Sequence, residues 1–415
     1  MTSPVEDLVE PGDFVMAGQV LGEPVELLSR LLAPDSPPVR GGGFRLFGGM
    51  TLTDTIASGP PSVELCSFVG LGANAGLIAA GRIELLPMHM SALPGLLTDG
   101  PLRPDVALVV VSPPDEDGLC HLGVQSDYLF AAAQAARVVL AEINPAVPHV
   151  AGDTAIPFER LDGFLDTDRP LPEYERAEPS WAERAIAERV APFVDDGACL
   201  QIGVGRLGEA VLGAVAGRRD LGVHAGMVGD TILEMVRDGM ITNRRKGIDT
   251  GLTVAGSILG SRRAVALAAV EPGLRLRSVA HTNDAAVVAA LGRFVSVNSA
   301  IEVDLFGQVN AEVAGGRYIG GIGGSVDFLR AAAAAPDGRS IVALHATAKG
   351  GTVSRIVPEV ARVTALRTDV DVVATEYGTA ELRGFSDGER ARRLIVVAAP
   401  EHRPALERAA KELGL

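Results

Sequence analysis

Short apolar runs punctuate the chain: Phe14-Val-Met-Ala17, Val106-Ala-Leu-Val-Val-Val111, Val138-Val-Leu-Ala-Glu-Ile143, Cys199-Leu-Gln-Ile202, Phe294 to Val297, Ile341 to Leu344 and Val370 to Ala374. Such short, continuous apolar runs are the signature of strands buried on both faces. The same reading makes strands of Ala264 to Val270 and Leu394 to Ala398. Between these runs the apolar spacing lengthens to that of helices. Pro24 to Leu32 places Val25, Leu28, Leu31 and Leu32 on one side, with Pro24 suited to a first turn. Ser126 to Ala136 predicts a second helix. A third is capped by Ser180 and turns Trp181, Ile186, Val190 and Phe193 to one face. Further helices are predicted from Gly208 through Val215 and after Ser325. Strands alternating with helices predict an α/β fold with mostly parallel sheets flanked by helices.

At 415 residues the chain exceeds what one core usually fills, so two domains are expected. The stretch Asp166 to Pro179, rich in proline and charge, is the best linker, and it sets the domains at 1–178 and 179–415. The starts of the two parts resemble each other. Phe14 to Gly18 followed by Gly22-Glu-Pro-Val25 parallels Cys199 to Gly203 followed by Gly208-Glu-Ala-Val211, which predicts two halves of related architecture.

Charge narrows the partners. A net charge of −15 argues against a nucleic-acid backbone or an anionic membrane, while local amides can still receive a small anion. The cysteines Cys66, Cys120 and Cys199 lie far apart without metal-ligand spacing, so no metal is expected and a reducing, cytoplasmic setting is. The N-terminal Met1-Thr-Ser-Pro-Val-Glu-Asp7 lacks a signal-peptide pattern, and no apolar run approaches membrane-spanning length.

Three stretches carry candidate chemistry. Gly203-Val-Gly-Arg-Leu-Gly208 matches the dinucleotide fingerprint between a strand and a helix. The next predicted strand ends near His224-Ala-Gly226 with no carboxylate before Asp230, where a ribose-binding acid belongs, so NAD is the weaker reading. What survives is generic: Gly203, Val204 and Gly205 offer bare amides at a helix N-terminus. Gly320-Gly-Ile-Gly-Gly324, pinned between Tyr318, Ile319, Val326 and Phe328, fits amides presented to a ligand or an oxyanion, and Lys349 is the nearest downstream cation. Leu221 to Asp230 reads as an apolar strand entering a small-residue turn, with His224 and Gly226 on one face if it stays extended.

Taken together, Val110-Ser-Pro-Pro113 to Asp127-Tyr128, Gly152-Asp-Thr154, Gly203 to Gly205, Leu221 to Asp230, Asn298 to Asp304, Gly307-Gln-Val309, Gly320 to Phe328, Gly351 to Pro358 and Thr375-Glu-Tyr-Gly378 resemble the acetyl-CoA hydrolase/transferase family. Within it the likeness is to 4-hydroxybutyrate CoA-transferases, is collinear, and covers nearly the whole chain. It implies a two-domain CoA-transferase-like fold, coenzyme A or an acyl-CoA as substrate with a small acceptor, and a homodimer. It implies roles too: Asn283 and Gly323 as the oxyanion hole, and Glu376 near the acyl-carboxylate site. Gly203 to Gly205, Gly320, Gly321, Gly324 and Lys349 fall near the thioester and the CoA tail. One departure is central. Where family transferases read His-Ser/Thr-Glu-Met, this chain reads His224-Ala-Gly-Met227, so Gly226 stands at the nucleophilic glutamate. Ala225 and Gly229 replace hydroxyl residues beside it. A ping-pong transfer through glutamyl-CoA needs a carboxylate there. The expectation is therefore direct attack on the thioester by water or a small acceptor, with His224 or Asp230 as base. The alternatives are a CoA-transferase with a displaced nucleophile, for which Glu302 is acidic but reads as structural in a strand-like segment some way from Gly226, and a non-catalytic acyl-CoA binder.

Overall fold

The run Val106–Val111 is a strand with all six residues buried, and its neighbours on both sides run parallel to it. The computed structural model describes residues 4–415, so Met1-Thr-Ser3 of the N-terminal stretch lie outside the described residues. The chain divides into two compact units. Unit 1 holds Met1–Glu175 with Gly226–Leu233 and Val254–Thr282; unit 2 holds Arg176–Ala225, Glu234–Thr253 and Asn283–Leu415.

In unit 1 the elements are β1 (Phe14–Ala17), α1 (Val25–Leu31), β2 (Arg45–Phe47), β3 (Glu64–Ser67), β4 (Ile83–Leu85), β5 (Val106–Val111), β6 (Leu119–His121), α2 (Leu129–Ala135), β7 (Val138–Ile143), β8 (Ala155–Pro157) and β9 (Gly163–Asp166). Seven strands form a sheet in the order β4-β3-β2-β1-β5-β7-β9, parallel throughout, and β6 and β8 pair antiparallel. Leu27, Leu28 and Leu31 of α1 pack with Val15, Leu46, Val106 and Leu108 in one core.

Helix α2 starts three residues later than Ser126, where the apolar spacing placed it. The amides of Ser126 and Asp127 both donate to the Gly256 carbonyl, and the Asp127 carboxylate accepts from the amides of Tyr128 and Leu129. Burial pushes the Asp127 carboxyl above its usual range, against the hydrogen bonds from Gln125 and Gln19. Gly152 is required here: a β-carbon on it would lie 1.9 Å from the Leu276 carbonyl oxygen, and its φ is +132°.

From the linker onward come α3 (Trp181–Val190), β10 (Cys199–Ile202), α4 (Arg206–Val215), β11 (Gly222–Val228), α5 (Asp230–Arg237), β12 (Thr253–Ile258), α6 (Arg262–Val270), β13 (Leu274–Leu276), β14 (Phe294–Ser299), β15 (Glu302–Asp304), α7 (Ser325–Ala334), β16 (Arg339–Ala343), β17 (Val372–Thr375), β18 (Gly378–Glu381) and α8 (Asp387–Val397). Within unit 2 the strand order is β11-β10-β14-β16-β17-β18, parallel except for the last pair. In both units the first strand is central: β2, β3 and β4 add on one side of β1 and β5, β7 and β9 on the other, while β11 lies on one side of β10 and β14, β16, β17 and β18 add on the other. That shared order supports the two related halves read from the repeated strand–glycine–helix pattern.

Three expectations fail on local physics. Ala264 to Val270 is helix α6, capped by the Ser261 hydroxyl accepting from the Arg263 amide; only Ala264 and Ala268 are buried, one turn apart, and Val270 is exposed. Leu394 to Ala398 is the end of helix α8, which begins at the Ser386 cap and buries Ala391, Leu394 and Ile395 on one face. In α3 the Ser180–Glu183 capping box forms and Ile186 and Val190 are buried. Trp181, expected on that face, is 77% exposed at the first position, and Phe193 sits beyond the helix in a short turn. No helix among the described residues is long and apolar enough to cross a membrane.

Candidate active site

Strands β10, β14, β16 and β17 are consecutive and parallel, so the loops after Ile202, Ser299, Ala343 and Thr375 leave one edge of unit 2. The carboxyl edge of such a sheet is where open α/β folds take ligands. A buried amide network stiffens it. The Asn298 side-chain amide donates to Gln201 Oε1 at 2.8 Å and to Ser296 Oγ at 2.8 Å, and Ser296 Oγ donates to Gln201 Oε1 at 2.6 Å.

The turn after β10 is Gly203 to Gly205. Gly203 donates its amide to Val297 O, Gly205 takes φ +108°, and the ten-residue α4 begins at Arg206. Val204 is 42% exposed. Gly208 is a glycine because α4 presses onto the turn: a β-carbon there would lie 2.0 Å from the Gly203 carbonyl oxygen. Beside the turn, Glu183 is buried, and its Oε1 lies 3.3 Å from Arg206 and 3.7 Å from His345. Burial acts to raise the Glu183 carboxyl, but the Ser180 amide and hydroxyl, Arg206 and His345 outweigh it and hold it below the usual range.

The second glycine loop precedes α7. The amides of Ile319 and Gly320 donate to Glu312 O and that of Gly321 to Ala311 O, which locks the first half of the loop. A β-carbon on Gly320 would sit 2.0 Å from Ala311 O. Gly323 has φ +51° and open space around its α-carbon, and Gly324 caps the ten-residue α7. Asn283 is buried, and its side-chain amide donates to Asp327 Oδ2 at 3.1 Å in the first turn of α7. The structure therefore brings Asn283 to the helix end that carries Gly323, although the two lie far apart in sequence.

Glu376 directly follows β17, and its Oε2 accepts from the Ala346 amide at 2.9 Å. Arg355 lies under the influence of both Glu376 and Glu302; burial draws its guanidinium pKa down and the two carboxylates raise it. Glu302 itself accepts from the Asn310 amide at 3.0 Å in a small sheet, a structural tie. Lys349 is exposed, at φ +50° in a hairpin turn closed by Thr352 Oγ1 donating to its carbonyl.

Strand β11 stays extended through Val228, so Gly226 is a strand residue and half-buried, on the same side as the fully buried His224. A His224 ring nitrogen and an Asp249 carboxylate oxygen lie within 4.8 Å of each other. Asp230 opens α5 with both oxygens occupied: Oδ2 accepts from the Ser261 amide at 2.9 Å and Oδ1 from its hydroxyl at 2.5 Å. It clamps a turn. Sequence reasoning missed Glu183, Arg206, His345 and Arg355. Only the Ser180-x-x-Glu183 capping box signalled one of them; the rest meet through the fold.

Sequence profiles match twice: the acetyl-CoA hydrolase/transferase N-terminal domain over residues 67–172 and the C-terminal domain over residues 260–410. The 4-hydroxybutyrate coenzyme A transferase of Clostridium kluyveri is 34% identical over 411 residues, 96% of this chain and 94% of that protein. Among solved structures, RipA from Yersinia pestis superposes with a TM-score of 0.92 at 30% identity, covering 99% of this chain and 96% of that one. A 4-hydroxybutyrate CoA-transferase from Porphyromonas gingivalis gives 0.81 at 32% identity, covering 99% and 96%.

Proposed function

The chain belongs to the acetyl-CoA hydrolase/transferase family, and on that premise we propose that it processes acyl-CoA thioesters by direct attack, as a hydrolase or as an acyl transferase to a small acceptor. The observation that carries the mechanism is Gly226, which cannot supply the carboxylate that a glutamyl-CoA intermediate requires. The Asn283 side-chain amide and the Gly323 backbone N–H polarise the thioester carbonyl and receive its developing negative charge. Gly203 to Gly205, the Gly320 to Gly324 loop and Lys349 hold the CoA portion, and Glu376 borders the acyl group. A water oxygen bonds to the carbonyl carbon while His224 takes its proton. The tetrahedral adduct collapses, the carbon–sulfur bond breaks, and the proton goes to the departing thiolate, giving a carboxylic acid and coenzyme A. A small nucleophile in place of water gives acyl transfer. An Asp249 carboxylate oxygen lies within 4.8 Å of a His224 ring nitrogen, and its negative charge favours the imidazolium formed when the histidine takes the proton. The proposed assembly is the homodimer that the family resemblance implies, in the reducing cytoplasm that the scattered cysteines suggest.

The test is direct. Acetyl-CoA is incubated with the protein, free thiol is followed over time, and the denatured protein is weighed. Thiol release without any CoA adduct on a glutamate is expected. An adduct would overturn direct attack and return the protein to the ping-pong transferases.

A further inference from the structure

Strands β5 and β7 are adjacent and parallel, so the loops that follow them leave the same edge of unit 1. Asp115 and His121 come from the first of these loops and His149 from the second. Each offers one ligand atom, and all three atoms lie within 4.8 Å of one another. Asp115 Oδ2 is 2.8 Å from His121 Nε2, and the His121 and His149 rings are 4.6 Å apart between centroids.

The group is held rather than incidental. Asp115 Oδ1 accepts from the amides of Asp117 and Leu119, fixing the turn and leaving Oδ2 for other work. The His121 amide donates to Ser112 Oγ and its carbonyl accepts from the Ser112 amide, so both ends of the loop are tied. The two loops are in direct contact beside the rings, because a β-carbon on Gly123 would lie 1.5 Å from the Pro148 carbonyl oxygen. His121 Nδ1 is buried and makes no hydrogen bond among the described residues.

We propose that Asp115, His121 and His149 form a binding site for a divalent transition-metal ion of the zinc class. Two imidazole nitrogens and a carboxylate oxygen suit such an ion, with a fourth position open to water. Tetrahedral bonds of about 2.0–2.1 Å place ligand atoms about 3.3 Å apart. The Asp115–His121 pair therefore opens by about half an ångström and His149 closes in, a movement within the reach of side chains. The ion takes the place of the hydrogen between His121 Nε2 and Asp115 Oδ2, and the neutral imidazole then carries its one proton on Nδ1. The bound ion staples the two loops.

The untagged, metal-stripped full chain is titrated with Zn²⁺ by calorimetry and with Co²⁺ by absorbance. One zinc equivalent and a tetrahedral Co²⁺ band displaced by zinc are expected. His149→Ala and Asp115→Asn should each weaken binding at least about tenfold, with metal-free melting curves like that of the unmodified protein. His149 is exposed, so its truncation leaves the core intact. An octahedral or absent Co²⁺ spectrum in the unmodified protein overturns the proposal, as does zinc uptake that both variants retain at full affinity.

Discussion

Two glycines of one helix separate a binding role of the Gly203 turn from mere tolerance of the fold. In α4, a β-carbon on Gly208 would lie 2.0 Å from the Gly203 carbonyl oxygen, whereas one on the exposed Gly213 meets nothing within 4 Å. An ordinary carbon–oxygen contact is about 3.3 Å. Gly208→Ala must therefore move the helix and the turn apart by about 1.3 Å, at a stability cost of about 1–3 kcal/mol. Displacing a binding loop by about 1 Å costs about 10²-fold in rate. Gly213→Ala should instead stabilise by up to about 1 kcal/mol through helix propensity and change nothing else. The assay is kcat/KM for acetyl-CoA together with the acetyl-CoA-induced rise in melting temperature. Gly208→Ala is expected to lose about 10²-fold in kcat/KM and most of that rise, while Gly213→Ala keeps both. If Gly208→Ala remained folded with unchanged binding and turnover, the turn would not hold the substrate.

Other perturbations read other parts of the site. Asn283→Ala should lower kcat by about 10²–10³-fold, the usual cost of one oxyanion donor, with acyl-CoA binding retained; equal kcat would remove Asn283 from the mechanism. Gly226→Glu restores a carboxylate at the position of the family's nucleophile and should make a glutamyl-CoA adduct trappable by borohydride, while the unmodified protein gives none. Glu183 has its folded carboxyl below the usual range, so its contribution is present above the unfolded pKa of about 4.3 and lost as pH falls through the folded value. Melting curves from neutral pH downward should show Glu183→Gln most destabilised near neutrality and converging with the unmodified protein in acid.

Much of the framework is legible because a strand buried on both faces must be apolar throughout. Val106–Val111, with six residues buried, leaves no other reading. Ala264 to Val270 misleads for a related reason. Alanine is small enough to sit on an exposed helix face, so the run mimics a strand while only every fourth residue is buried. Leu394 to Ala398 misleads because the window began well inside a helix whose start signal, Ser386, lies two turns earlier. Of the candidate site, Gly208 and Gly320 are glycines because a backbone oxygen stands in the way of a β-carbon, and Gly205 and Gly323 because their φ is positive. The ion pairs of Glu183 with Arg206 and His345 are not legible, since pairing across such sequence distances leaves no local pattern.

The related halves add a reason to place the chemistry on the second. In unit 1 the turn after β1 is filled from within. Gln19 donates to Asp127 and accepts from the Met50 amide, and Glu23 accepts from Leu52, Thr53 and the Thr53 hydroxyl. Every residue from Gly18 to Glu23 is buried. The corresponding turn of unit 2, Gly203 to Gly205, carries no such side chains and leaves Val204 exposed. Two copies of one strand–turn–helix unit have thus diverged by the presence or absence of polar side chains in the turn. The filled copy satisfies its own amides and becomes scaffold. The bare copy spends the Gly203 amide on Val297 O and has no side chain filling the turn, and a substitution that adds a polar side chain at Gly203 or Gly205 would turn the second copy toward the first.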